Sequence, residues 1–380
     1  MVPDLRARFN AAFTPEKYHQ YLTRLAEAAG TPIAFRNAET PIFLDRGLVE
    51  KMVRYGEELI RQLVDDPAYR ARSDESLPAR WTVPNEDPHP MFVQADFGLT
   101  ADLEPKLVEI QGFPSLYAYQ PVMAETHRAV YDLDRDLRFQ MVDDYNDLLR
   151  RALLGDRKPH EVVLLELDPF EQKTLADFLI TRDRFGVRIV DVRDVKKDGR
   201  KLIAPDGPIE RIYNRVIVDE LERKNVQLAF DFRDEVEVEW AGHPNWYFRI
   251  SKFSIPYLKH ECVPRTLFLN ELSRIPDDLE NWVLKPLYSF AGLGVSVGPT
   301  REEVEAVKEP ANYILQERVD FAPLIETPHG PTKAEIRIMY IWTGELRAVT
   351  NIVRLGRGKM MGVDHNKGMD WVGGSVAFWR

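Results

Sequence analysis

The chain has 380 residues, 44% of them hydrophobic and 29% charged, the balance of a globular protein with material for two or three subdomains. A net charge of −10 argues against a general nucleic-acid binder, and the single cysteine, Cys262, excludes an internal disulfide or a cysteine-cluster metal site. The N-terminus lacks the apolar core of a secretory signal and no stretch approaches the ~18 apolar residues of a membrane span, so a cytoplasmic location is expected.

Residues 1–150 read as mostly helical with one β-hairpin. Leu48, Met52, Val53, Leu59 and Leu63 recur at helical spacing and predict a helix over 48–66. Past a proline-rich segment, "MFVQADFGLT" (91–100) and "KLVEIQ" (106–111) are apolar runs split by a short polar break, the pattern of a hairpin. The stretch 127–154 reads as one long helix with a solvated charged face. Residues 151–245 change character: strand "EVVLLEL", a helix, then strand "VRIVDV" predict a small α/β sheet. Residues 246–380 read as α+β and end in a glycine-rich tail. Cys262 reads as a small buried thiol rather than a nucleophile. The histidines are scattered without zinc-binding spacing, His365 in the tail being the one acid/base candidate.

Two stretches carry chemistry. In "LVEIQGFPSL" (107–116) a strand places Glu109 and Gln111 on one side, because residues i and i+2 share a face, and then breaks at a Gly-Phe-Pro turn. Two oxygen donors there can hold a hard cation such as Mg²⁺; a strand leaving the core with its polar residues in water has the same pattern. In "WVLKPLYSFAGLGVSV" (282–297) a strand delivers Lys285 and a loop contains Gly292 and Gly294. Glycines let backbone N–H groups approach phosphate oxygens, although a two-glycine hairpin is also an ordinary turn. It is no P-loop, since no Gly-Lys-Ser/Thr opens a helix. Further on, "YILQERVD" is a strand running out through Gln316, Glu317, Arg318 and Val319, and "AEIRIMYI" puts Glu335 and Arg337 on one strand face.

This order resembles the ATP-grasp superfamily. There a lysine precedes a glycine loop over the triphosphate, a strand hands backbone groups to adenine, and an acid near the next strand binds ribose. Upstream, Lys252 followed by Val263, Pro264 and Thr266 resembles the family's first lysine segment. The family's magnesium strand normally comes last. Here its likeness stands near the front, with Asp96 thirteen residues before Glu109 and Gln111 where asparagine is usual. The resemblance, over 48–115 and 246–355, is therefore to a circularly permuted ATP-grasp fold of the glutathione synthetase and glutathionylspermidine synthase kind. Its small α/β unit would be a substrate-side subdomain.

The resemblance implies roles. Asp96, Glu109 and Gln111 would ligate one or two Mg²⁺ ions; glutamine is one methylene longer than asparagine but still offers a carbonyl oxygen. Lys252 and Lys285 would neutralise phosphate, with Ser289, Phe290, Ala291, Gly292 and Gly294 closing over it. Gln316, Glu317, Arg318 and Val319 would flank adenine and Glu335 the ribose. Arg337 would face the transferring phosphoryl group and Arg354 an acyl phosphate, in a segment that also carries Asn351, Arg357 and Lys359. Ser115, Tyr213 and Arg215 are the substrate-side candidates. The implied activity is ATP-dependent carboxylate–amine ligation through an acyl phosphate, releasing ADP and phosphate. The alternatives are a small-molecule kinase on the same fold and a non-catalytic nucleotide-binding protein. The implied partners are a small carboxylate and an amine, with no nucleic acid or membrane; homodimers are common among such enzymes.

Overall fold

The computed structural model describes residues 1–288, 293–361, 366 and 368–380. Its centre is a five-stranded antiparallel sheet. In spatial order the strands are Gly373–Ser375, Glu345–Gly356, Lys333–Thr343, Phe92–Leu99 and Pro105–Gln111. The last two are the expected hairpin. Alternation along Phe92–Leu99 sends Val93, Ala95, Phe97 and Leu99 to one face and Gln94 and Asp96 to the other. Ile336, Ile338, Tyr340, Val353 and Leu355 extend the apolar face, and the helix Arg46–Val64 covers it with Met52, Leu59, Ile60 and Leu63. Asp45 opens that helix by accepting from the Gly47 amide at 2.8 Å.

The segment expected to be α/β forms a four-stranded parallel sheet in the order Glu239–Ala241, Arg211–Asn214, Val162–Glu166, Arg188–Asp191. The strand Val162–Glu166 is buried along its whole length, as a parallel strand covered on both faces must be. The helix Leu175–Phe185 crosses between parallel neighbours. Its Asp177 accepts from the Ala118 and Tyr119 amides, at 2.9 and 3.0 Å, and so caps the helix Tyr119–Tyr131 of the other half. A further antiparallel sheet, ordered Thr266–Phe268, Tyr313–Glu317, Trp282–Pro286, Ser296–Val297, carries Lys285.

One difference from the sequence reading has a physical cause. The single helix expected over 127–154 is two helices, Tyr119–Tyr131 and Tyr145–Leu154. Asp132 ends the first in a left-handed conformation (φ 50°), and the intervening chain turns at Arg135–Asp136 and then pairs, Arg138 and Trp379 exchanging backbone hydrogen bonds at 2.9 and 2.8 Å. Segments 1–150 and 246–380 are joined in one unit. They share the five-stranded sheet, one hydrophobic core, and a parallel pairing of Ile42–Leu44 with Ala377–Trp379.

Among the described residues no helix is long and apolar enough to cross a membrane.

Two consequences of this packing are measurable. A Cβ on Gly56 would lie 2.0 Å from the Tyr340 hydroxyl oxygen, which donates to the Val53 carbonyl at 2.8 Å. Gly56→Ala is expected to lose about 1–3 kcal/mol in urea unfolding despite the better helix propensity of alanine. His127 is fully buried, stacked on Tyr21 with centroids 4.0 Å apart. Burial pushes its imidazole from 6.5 down to about 3. The unfolded chain therefore takes up a proton that the folded one refuses, so stability falls as pH drops from 6.5 toward 3. His127→Leu should flatten that acid limb of the stability profile and leave the profile's shape above pH 7 unchanged.

Candidate functional site

The polar face of the five-stranded sheet gathers residues from three separate stretches of sequence. Register places Gln94 opposite Gln111, Asp96 opposite both Glu109 and Arg337, and Glu335 opposite Arg354. A register shift just after Asp96 lets the hairpin carry on with Phe97 opposite Leu107.

Asp96, 1% exposed, is the hub. Arg337 grips it with both ends of its fork, Nε to Oδ1 at 2.5 Å and Nη2 to Oδ2 at 2.6 Å. Arg354 Nη2 donates to the same Oδ2 at 2.8 Å, and Arg354 Nη1 lies 2.9 Å from Glu335 Oε1. Arg337 Nη1 donates to Gln94 Oε1 at 2.8 Å. The Gln111 amide, its oxygen turned to the guanidinium, accepts from Arg337 at 2.6 and 3.0 Å. The neighbouring carboxylate, Glu109, pairs with Lys252 at 2.8 Å. Lys285 reaches over from the small antiparallel sheet to the Val108 carbonyl at 3.0 Å and to Gln316 Oε1 at 2.5 Å.

Three carboxylates (Asp96, Glu109, Glu335) thus face four cations (Lys252, Lys285, Arg337, Arg354), a surplus of one positive charge in a chain of net charge −10. Burial alone would raise Glu109, but Lys252, with Lys285 and Arg337 behind it, brings it down to about 2. Burial pushes Lys285 down to about 8 against the pull of Glu109. Burial also raises Glu335, which Arg354 only partly offsets. A cationic, partly dehydrated cluster of this kind suits a polyanion.

Asp96, Glu109 and Gln111 supply hard oxygen donors from adjoining strands, which fits a divalent cation in kind. Each donor residue is engaged by a cationic side chain, and among the described residues no three His, Cys, Asp or Glu side chains converge as a ligand group.

The other expected residues fall out as follows. Ser289, Phe290, Ala291, Gly292 and His365 lie outside the described residues. Gly294 adopts φ 74°, and a Cβ there would meet Pro286 at 3.2 Å. Gln316 is buried against Lys285, while Glu317 and Arg318 are exposed, their amides bonded to the Arg265 and Asn281 carbonyls at 2.8 Å; Val319 is half-buried. Glu335 sits in the charged row beside Asp96 and Arg354, since its strand belongs to the central sheet and not to the sheet of Gln316. Asn351 is structural, bonded to Phe139 and Ala377 backbone atoms, and Arg357 holds the turn of Thr327 and Gly330. Lys359 is exposed. Ser115 offers its carbonyl to Gln94 at 3.3 Å. Tyr213 is a core residue against Phe92, at 5.5 Å between centroids. Arg215 is buried over Phe113 and Phe178, at 5.1 and 5.4 Å, with Nε and Nη1 lacking a hydrogen-bond partner among the described residues. Gln94 was missed by sequence reasoning; its signal was its place two residues before Asp96 on the same strand face. A surface groove of about 670 Å³ lined by Arg24, Glu125, Phe139 and Arg184 includes none of these candidates.

No protein-family model matches the chain, and neither does any curated protein. Among solved structures it is similar to the apoform of a glutathione synthetase-like effector, GSS30, from Globodera pallida. The TM-score is 0.59 and the identity 12%, covering 97% of this chain and 97% of that one. At that identity the likeness is one of fold: mixed α+β, with several sheets, resembling a glutathione synthetase-like structure.

The site's electrostatics yield a stability prediction. Asp96→Asn leaves Arg337 and Arg354 without their shared counter-charge and should cost about 3–5 kcal/mol in urea unfolding. For Glu109 the folded value, about 2, lies below the ordinary 4.5. Its contribution is complete above pH 4.5 and is lost as pH falls toward 2, so Glu109→Gln should lower stability at pH 7 and shrink the acid-dependent loss.

Proposed function

We propose that this protein is an ATP-dependent carboxylate–amine ligase built on a circularly permuted ATP-grasp fold. The observation that carries the reading is the meeting of the Asp96–Glu109–Gln111 hairpin with Lys252, Lys285 and Arg354. These come from segments far apart in sequence and leave one surplus positive charge. The hairpin precedes in sequence the strands it joins in space, which is the order a permuted fold requires.

In this reading Lys285, held by Gln316 and the Val108 carbonyl, and Lys252 place positive charge against the phosphates of ATP. Asp96, Glu109 and the Gln111 carbonyl would hold Mg²⁺, which would supply neutralisation of phosphate charge. Arg354 stabilises the phosphoryl group on its way to the substrate carboxylate, and Arg337 positions Asp96. An amine then attacks the acyl phosphate, giving amide and phosphate, with ADP left from the first step. Phosphoryl transfer asks for positioning and charge neutralisation and needs no nucleophilic side chain. Arg215, with two N–H groups to offer, is assigned to the anionic end of the acid substrate.

The test is purified protein with ATP, Mg²⁺ and pooled amino acids, small peptides and polyamines, read by mass spectrometry. The expected result is amine-dependent ADP with a product equal to acid plus amine minus water. A phosphorylated acceptor released without amine would make the protein a kinase, and AMP as product would overturn the mechanism. Lys285→Ala should lower turnover by about 10²-fold or more while the fold persists by circular dichroism.

A further inference from the structure

The two arginines on Asp96 are not equivalent. Arg337 has its side chain 11% exposed and spends its fork on both Asp96 oxygens, on Gln94 and on Gln111. Arg354 has its side chain 27% exposed, and its described contacts are one oxygen of Asp96 and one of Glu335. The first is a fixed clamp. The second bridges two carboxylates from the open side of the cluster.

Charge balance makes that bridge consequential. The cluster stands at one surplus positive charge, four cations against three carboxylates. A divalent cation taking Asp96 and Glu109 by itself would add two more charges in a poorly hydrated space and would sit against Arg354. A triphosphate of roughly four negative charges arriving alone would press on three carboxylates. Arriving together, the two bring roughly two negative charges, one of which the cluster's surplus offsets. Arg354 also has a better partner in a phosphate than in a carboxylate edge it shares with Arg337, because its fork can engage phosphate oxygens bidentately.

We infer that Arg354 is an exchangeable counter-ion: it neutralises Asp96 and Glu335, and passes from Asp96 to a nucleotide phosphate as the divalent cation takes up the Oδ2 lone pair it vacates, Arg337 keeping its own bond to that oxygen. This rests on the nucleotide-binding reading above and adds to it a rule of assembly. Metal and nucleotide each bind weakly alone and tightly together, and Arg354 is the residue that couples them. Linkage makes the effect reciprocal, so the factor by which nucleotide tightens metal equals the factor by which metal tightens nucleotide.

The experiment uses the full chain and two probes kept apart. Mn²⁺ alone is titrated by electron paramagnetic resonance, and ADP in the presence of a chelator by calorimetry. In Arg354→Met the balance drops to three cations against three carboxylates. Mn²⁺ alone is then expected to bind at least ~10-fold tighter than to wild type, and metal-free ADP at least ~10-fold weaker. Arg354→Lys keeps the charge and should stay within about 3-fold of wild type for Mn²⁺. Glu335→Gln moves the balance the other way, to two surplus positive charges. It should weaken Mn²⁺ alone and tighten metal-free ADP, which tests the inference even if Arg354→Met does not fold. Mn²⁺ affinity that is unchanged across these variants, or lower in Arg354→Met, overturns the inference while ADP binding leaves the nucleotide reading standing. If ADP binds no form, with or without Mn²⁺, both fall together.

Discussion

The buried pairing of Asp96 with Arg337 is the interaction on which the rest of the structure depends. Removing two charges from water is costly, and attraction compensates only where the remaining donors and acceptors are also met. Here they are met by neighbours that the sheet supplies: Gln94 two residues before Asp96, Gln111 across the hairpin, and Arg354 from the next strand. The pair also makes register expensive to change. A slip of one residue in Phe92–Leu99 would turn Asp96 into the core beneath and Phe97 out of it. The same alternation that packs Val93, Ala95 and Phe97 on the helix Arg46–Val64 therefore assembles the charged row on the opposite face.

Around this row the molecule is arranged as supports. The small antiparallel sheet brings Lys285 to the Val108 carbonyl, anchoring a mobile type of side chain by a backbone acceptor and by Gln316. The parallel-sheet unit is tied in by Asp177, which caps a helix of the central unit, and by Arg215, which lies over Phe113 just past the second strand of the hairpin. The candidate site thus draws on two sheets and the helical turn Lys252–Tyr257, and no single segment of chain could form it.

Much of this was legible in the sequence, and the legible part has a pattern. The hairpin, the helix at 46–64, the strand–helix–strand of the parallel unit and the strand carrying Lys285 all follow from periodicity and turn residues. Local spacing also placed Glu109 with Gln111 and Glu335 with Arg337, because a strand's period of two operates within a few residues. The break of the expected helix at 127–154 was not legible, since what draws out the chain there is a backbone pairing between Arg138 and Trp379, remote in sequence. Tyr213, a substrate-side candidate in the sequence, is packed in the core against Phe92.

By itself, then, the sequence determined most of the strands and helices and which side chains share a face, because those depend on neighbours a few residues away. Only the tertiary structure decided which charges meet. Arg337 and Asp96 are 241 positions apart and Arg354 and Asp96 are 258, distances over which no periodicity carries information. Sheet register and shared burial bring them together, and the free energy of an unpaired charge removed from water keeps them there.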